Sequence, residues 1–142
     1  ELPKEIAEEY GSTHILRGAS KRGATGGTMY MAINVSDGDR FWLTTRDEER
    51  IFSEQEKALE SMKSDLEGKN IIAVFQTDCL FRGRTLFNKV MKDELTGMMQ
   101  IALSNDGEVP PWLGMCGFGE FCLLNGKNTF HTYTTSLMSL YR

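Results

Sequence analysis

Between Thr28 and Val35 the chain alternates, with Met29, Met31, Ile33 and Val35 on one side and Tyr30, Ala32 and Asn34 on the other. A period of two predicts a half-buried strand. Ser36-Asp37-Gly38-Asp39 then supplies turn chemistry, so Arg40–Thr44 is expected to return as the second strand of a hairpin. The period changes next: Ile51, Phe52, Ala58, Leu59, Met62 and Leu66 form one stripe at helical spacing. Thr45-Arg46-Asp47-Glu48 has capping-box spacing at its start, and Gly68 stops it. Asn70–Phe75 is continuously apolar, as in a strand buried on both faces.

A second helical stripe (Phe87, Met91, Leu95, Met98, Ala102) predicts a helix from Thr85 to Leu103, followed by a polar loop at Ser104–Glu108. From Val109 onward the pattern is strand, turn, strand, with Asn125-Gly126 as the hairpin dipeptide and Thr129–Leu140 as the returning strand. Upstream, Pro3–Tyr10 reads as a short helix with Pro3 in its first turn and Gly11 as its stop. His14–Arg17 is strand-like and Gly18–Gly27 a loop. There is no internal repeat or linker. The expected fold is a single α+β domain over residues 1–142, a layered, largely antiparallel sheet with packed helices.

Composition narrows the function classes. The chain has 142 residues, enough for one core, and a net charge of -4 that repels phosphate backbones, so no nucleic acid is expected as a partner. No apolar run is long enough to span a bilayer, so no membrane insertion is expected. The chain opens at Glu1 without Met or a targeting segment, which marks it as a fragment of a longer protein. Cys79, Cys116 and Cys122 fit no CxxC pattern, and only His14 and His131 are available as imidazole ligands. No metal and no cofactor is expected, and a reducing compartment is the simpler setting for three thiols.

Three segments exceed what packing requires. Gln76–Arg84 follows the buried strand, where backbone N–H groups converge on anions, and Arg82 and Arg84 add guanidinium forks suited to a carboxylate or phosphate. The same arginines are equally suited to structural ion pairs with Asp78, Glu94 or Glu120. Gly114–Glu120 spaces three glycines so that a backbone or ligand approaches closely, with Glu120 set among apolar neighbours. Glu120 either anchors an amino group or pairs with an arginine. The glycine string does not open a helix and is no dinucleotide fingerprint. In Phe130–Thr135, alternation puts His131 and Tyr133 on one side and Thr132 and Thr134 on the other. His131 binds a ligand, moves a proton or is held in the core by hydrogen bonds.

These segments, in this order, resemble the C-terminal domain of the FIST family (F-box and intracellular signal transduction proteins). The resembling pieces are VFQTDCLFRGR at 74–84, the helix with Glu94, PWLGMCGFGEF at 111–121 and FHTYTT at 130–135, with DGDRFWLTTRDEERI at 37–51 upstream. The resemblance implies a cytoplasmic sensory domain, beside a FIST N-terminal domain and a signalling output domain, that binds a small ligand such as an amino acid and is not an enzyme. It carries over Cys79, Arg82, Gly83, Glu94, Gly114, Gly117, Gly119, Glu120, His131 and Thr134, with Arg84 adjacent. Thr132 stands where family members often have Asn. The expected ligand-binding residues are thus Cys79, Arg82, Gly83, Arg84, Gly117, Gly119, Glu120, His131 and Thr134. The alternatives are a protein-interaction module of an F-box-type adaptor and, third, an enzyme built on a Cys79–His131 nucleophilic pair.

Overall fold

A computed structural model describes residues 4–10, 14–22, 27–31, 34–82, 89–124 and 126–142. Its elements run α1 (Lys4–Tyr10), β1 (Ala19–Arg22), β2 (Met29–Met31), α2 (Glu48–Asp65), β3 (Ile71–Cys79), α3 (Lys89–Ala102), β4 (Trp112–Gly117), β5 (Glu120–Leu124), β6 (Lys127–His131) and β7 (Thr135–Tyr141). This is the expected α+β architecture. The expectations for Pro3, Gly11, Ala32, Ile33, Gly83, Arg84, Thr85, Phe87 and Asn125 lie outside the described residues.

The central sheet has the order β4-β3-β7. Among the described residues three of the four strand pairs are antiparallel, but β3 and β4 run parallel, from Val74↔Trp112 to Cys79↔Gly117. Parallel neighbours need a crossover, and α3 lies in it, so β3, α3 and β4 form a βαβ unit. On one face of the sheet Val74, Trp112 and Leu137 meet Ile71, Leu103 and, from α2, Met62 and Leu66. Met91 and Leu95 of α3 pack against Ile51 and Phe52 of α2. The helical layer therefore covers this face, because the apolar stripes of α2 and α3 need a common surface to leave water. The β5–β6 hairpin touches β3 and β7 through β5.

Several local expectations are corrected. Arg40–Thr44 forms no strand; Met29–Met31 pairs instead with Ala19–Arg22, inside the segment read as a loop. Phe41, Trp42 and Leu43 are consecutive and all exposed, so they have no buried side to alternate against. The cap of α2 is Asp47, whose side chain accepts from the Arg50 N–H at 3.0 Å, two residues beyond the Thr45 cap expected from the capping box. Asp caps well, and with Glu48 and Glu49 it sets negative charge at the positive end of the helix dipole. Residues 129–140 are two strands, broken at Tyr133, whose φ of 62° lies in the left-handed region. The break cancels the alternation expected across His131–Thr134.

Candidate functional site

Strand β3 ends at Cys79, whose N–H donates to the Thr134 carbonyl at 3.0 Å. Gly117, the last residue of β4, lies beside Cys79 in the parallel register. The chain then bends through Phe118 and Gly119 into β5, and Glu120 pairs across the hairpin with His131. The bend is tight: a Cβ on Gly119 would lie 2.2 Å from the Phe130 ring and 3.1 Å from the His131 carbonyl oxygen, and one on Gly117 would lie 3.3 Å from the Gly119 carbonyl oxygen. Glycine at Gly119 is thus a requirement of close approach, while at Gly117 a side chain would be tight.

Cys79, Glu120 and His131 meet at this point, at 0%, 2% and 2% exposure. Thr134 Oγ1 donates to Glu120 Oε2 at 2.7 Å, while Oε1 of the same carboxylate accepts no hydrogen bond among the described residues. Burial pushes the Glu120 carboxyl above its ordinary value; the Thr134 hydrogen bonds, the Cys79 thiol and the charge on Arg82 pull it partly back. Burial lowers the His131 imidazole, and Arg17 lowers it further. Arg17 itself donates to the Phe130 carbonyl at 2.9 Å and lies over the Phe130 ring. Behind the bend, Tyr133 stacks on Phe81 with ring centroids 5.5 Å apart. Gly18 is needed there, since a Cβ would come within 2.8 Å of the Tyr133 ring.

A second polar cluster lies beside this one, toward the helical layer. Asp78, 2% exposed, accepts from Thr135 Oγ1 at 2.8 Å and from Gln76 Nε2 at 3.1 Å, and it pairs with Lys92 and with Arg82. Arg82 donates to Thr135 and to Gln55 Oε1, and Gln55 Nε2 donates to the Leu95 carbonyl at 2.8 Å. Gln76 Oε1 accepts from Trp112 Nε1 at 3.0 Å. A buried carboxylate requires such partners; those of Asp78 come from β3, β7, α3 and Arg82, and Gln55 of α2 and Trp112 of β4 in turn hold Arg82 and Gln76. Burial lowers the Arg82 guanidinium, an effect opposed by Glu120 and Cys79. Arg82 therefore joins the two clusters.

A family model, the FIST C domain, matches residues 2–123. The chain belongs to the FIST C domain family. The family is one of sensory domains in signal transduction. No curated protein and no solved structure matches the chain. The FIST C match contains Cys79, Arg82, Gly117, Gly119 and Glu120, and ends short of His131 and Thr134. In this FIST C domain the Thr134 hydroxyl that donates to Glu120 thus lies beyond the matched residues.

Of the residues expected from sequence, the structure brings together Cys79, Arg82, Glu120, His131 and Thr134, with Gly117 and Gly119 shaping the bend. Gly83 and Arg84 lie outside the described residues. Glu94 is exposed on α3, and Gly114 sits beside Gln76, away from Glu120. Thr134 and His131 reach the same carboxylate neighbourhood, contrary to the alternation, because the left-handed turn at Tyr133 redirects the chain. Sequence reasoning missed Gln55, Gln76, Lys92 and Thr135. For Gln55 a signal existed: a lone amide lies four residues before Leu59, on the apolar side of the α2 stripe. At the opposite end of β3 a hollow of about 510 Å³ lies between Asn70, Asn105 and Pro110. There Asn105 accepts from the Ile71 N–H and donates to the Ile71 carbonyl, extending the strand's own pairing. Among the described residues no cluster has the makeup of a metal site, and no helix is long and apolar enough to cross a membrane.

Proposed function

We propose that this FIST C domain is the ligand-binding part of a cytoplasmic receptor, and that Glu120 holds the amino group of a small, amino-acid-like molecule. One observation carries the reading: a carboxylate at 2% exposure has an oxygen that accepts no hydrogen bond among the described residues. Leaving such an atom without a donor is costly, and a protonated amine supplies one. Thr134 fixes the carboxylate, while Cys79 and His131 enclose it. Arg82 holds the site to the helical layer through Thr135 and Gln55, so its contribution to binding runs through the position and field of Glu120. Few polar groups converging among apolar ones suit such a site. The signal then requires only that ligand favour one arrangement toward the FIST N-terminal domain and the output domain.

The domain is read as a binder and not as an enzyme. Cys79 is fully buried, so its sulfur presents no surface to a substrate. A protein-interaction module is the second reading, supported by exposed Phe41, Trp42 and Leu43. A thermal-shift screen against amino acids and simple amines separates the two. A stereospecific rise in melting temperature that Glu120→Gln removes is the expected result. No shift from any compound, with the FIST N-terminal domain absent or attached, would leave the interaction reading in its place.

A further inference from the structure

The sheet has one face beneath helices and another that is largely open. In the shared register, Phe75 lies beside Leu113 and Met138, with Met115 and Leu140 further along the same face. These five are 38%, 60%, 55%, 63% and 46% exposed. The remaining positions of this face between the same strands, Ala73, Thr77 and Ser136, are uncharged. At roughly 200 Å² per large side chain, these exposures amount to about 500 Å², near the upper end for the largest patch on a monomer.

We propose that a second copy of this chain docks on the open face of the β4-β3-β7 sheet, the two sheets packing face to face about a twofold axis. Two such faces in contact remove about 1,000 Å² of apolar surface from water, the size at which specific interfaces begin. Sheets pack in this way at about 10 Å, with the side chains of both faces interdigitating. Charge does not bar this occupant. The chain carries a net charge of -4, so copies repel over most of their surface. Among the described residues this face offers neither a carboxylate nor a cation, so two copies meet on it with no like charges in contact, and an oppositely charged partner finds nothing to pair with. A face that presents the same patch to its own twofold image is complementary to itself. The inference rests on the sheet alone and stands apart from the reading of the Glu120 site.

Sedimentation velocity over a concentration series tests it, comparing the unaltered chain with Met115→Lys and Met138→Lys. Both substitutions place a charge at an already exposed position, and circular dichroism with thermal melting confirms that each variant is folded. The expected result is a monomer–dimer equilibrium whose dissociation constant rises at least tenfold in each variant. A chain that stays monomeric at every soluble concentration overturns the proposal, as does a dimer that neither substitution weakens. A monomer that binds a hydrophobic dye, and loses that binding with Met115→Lys, also overturns it and assigns the face to a different polypeptide.

Discussion

At the scale of single residues, Glu120 is opposed by its surroundings when ionised, because hydrogen bonds from Thr134 and the Cys79 thiol and a nearby guanidinium replace less than bulk water provides. Its carboxyl titrates near 4.5 in the unfolded chain and higher in the fold. A raised folded value means that its contribution to stability is full below 4.5 and is lost as pH rises through the folded value. Glu120→Gln keeps an acceptor for Thr134 without the charge. It is expected to melt above the unaltered chain at neutral and alkaline pH, with the gap closing toward pH 4.5, which a pH series of melting curves checks. His131 has the opposite sign: its folded value lies below 6.5, so its contribution is present above 6.5 and lost as pH falls through the folded value. At Gly119 the constraint is steric. Gly119→Ala sets a methyl against the Phe130 ring and the His131 carbonyl, and is expected to destabilise by about 1–3 kcal/mol in urea unfolding. The types and order of these residues made them legible in the sequence. Which of them touch was not legible, because the turn at Tyr133 asks a non-glycine residue to adopt a positive φ, and no local pattern signals that.

Elements with strong periodicity were the readable ones. The stripes of α2 and α3 and the presence of β3 follow from spacing, and Gly126 has the positive φ that a hairpin turn needs; burial of β3 on both faces does not hold, since Ile72 and Phe75 are 47% and 38% exposed where no layer covers them. Short strands were not readable, since β1 and β2 are four and three residues long and exist through their mutual pairing. The polar cluster around Asp78 joins elements that are far apart in sequence, and long-range pairing leaves no mark on either partner's neighbours. Its energetic weight is testable. Asp78→Ala strands Lys92 and Arg82 in a partly buried setting and is expected to cost about 3–5 kcal/mol, read as a lower midpoint in chemical denaturation. Leu95→Ala, which opens a fully buried position between α2 and α3, is expected to cost about 2–5 kcal/mol by the same measurement.

For the whole molecule, the layers assign different tasks to the two faces of one sheet. The helical layer holds the core and, through Gln55, Lys92 and Arg82, fixes the end of β3. The hairpin carries Glu120 and His131 and touches β3 and β7, so a ligand held by Glu120 would sit where the hairpin meets the sheet. Ligand binding in this account tightens that joint and is felt along β3 and β7, which also border the open apolar face. A compound that binds only the folded chain adds about 2.7 kcal/mol of stability at a hundredfold excess over its dissociation constant. The most direct test of the central claim is isothermal titration of the best stabilising amine into the unaltered chain and into Glu120→Gln. Losing a charge-assisted hydrogen bond of about 1.5–3 kcal/mol predicts an affinity roughly ten- to a hundredfold weaker in the variant. Equal affinity in the two proteins would contradict the account and take Glu120 out of the site.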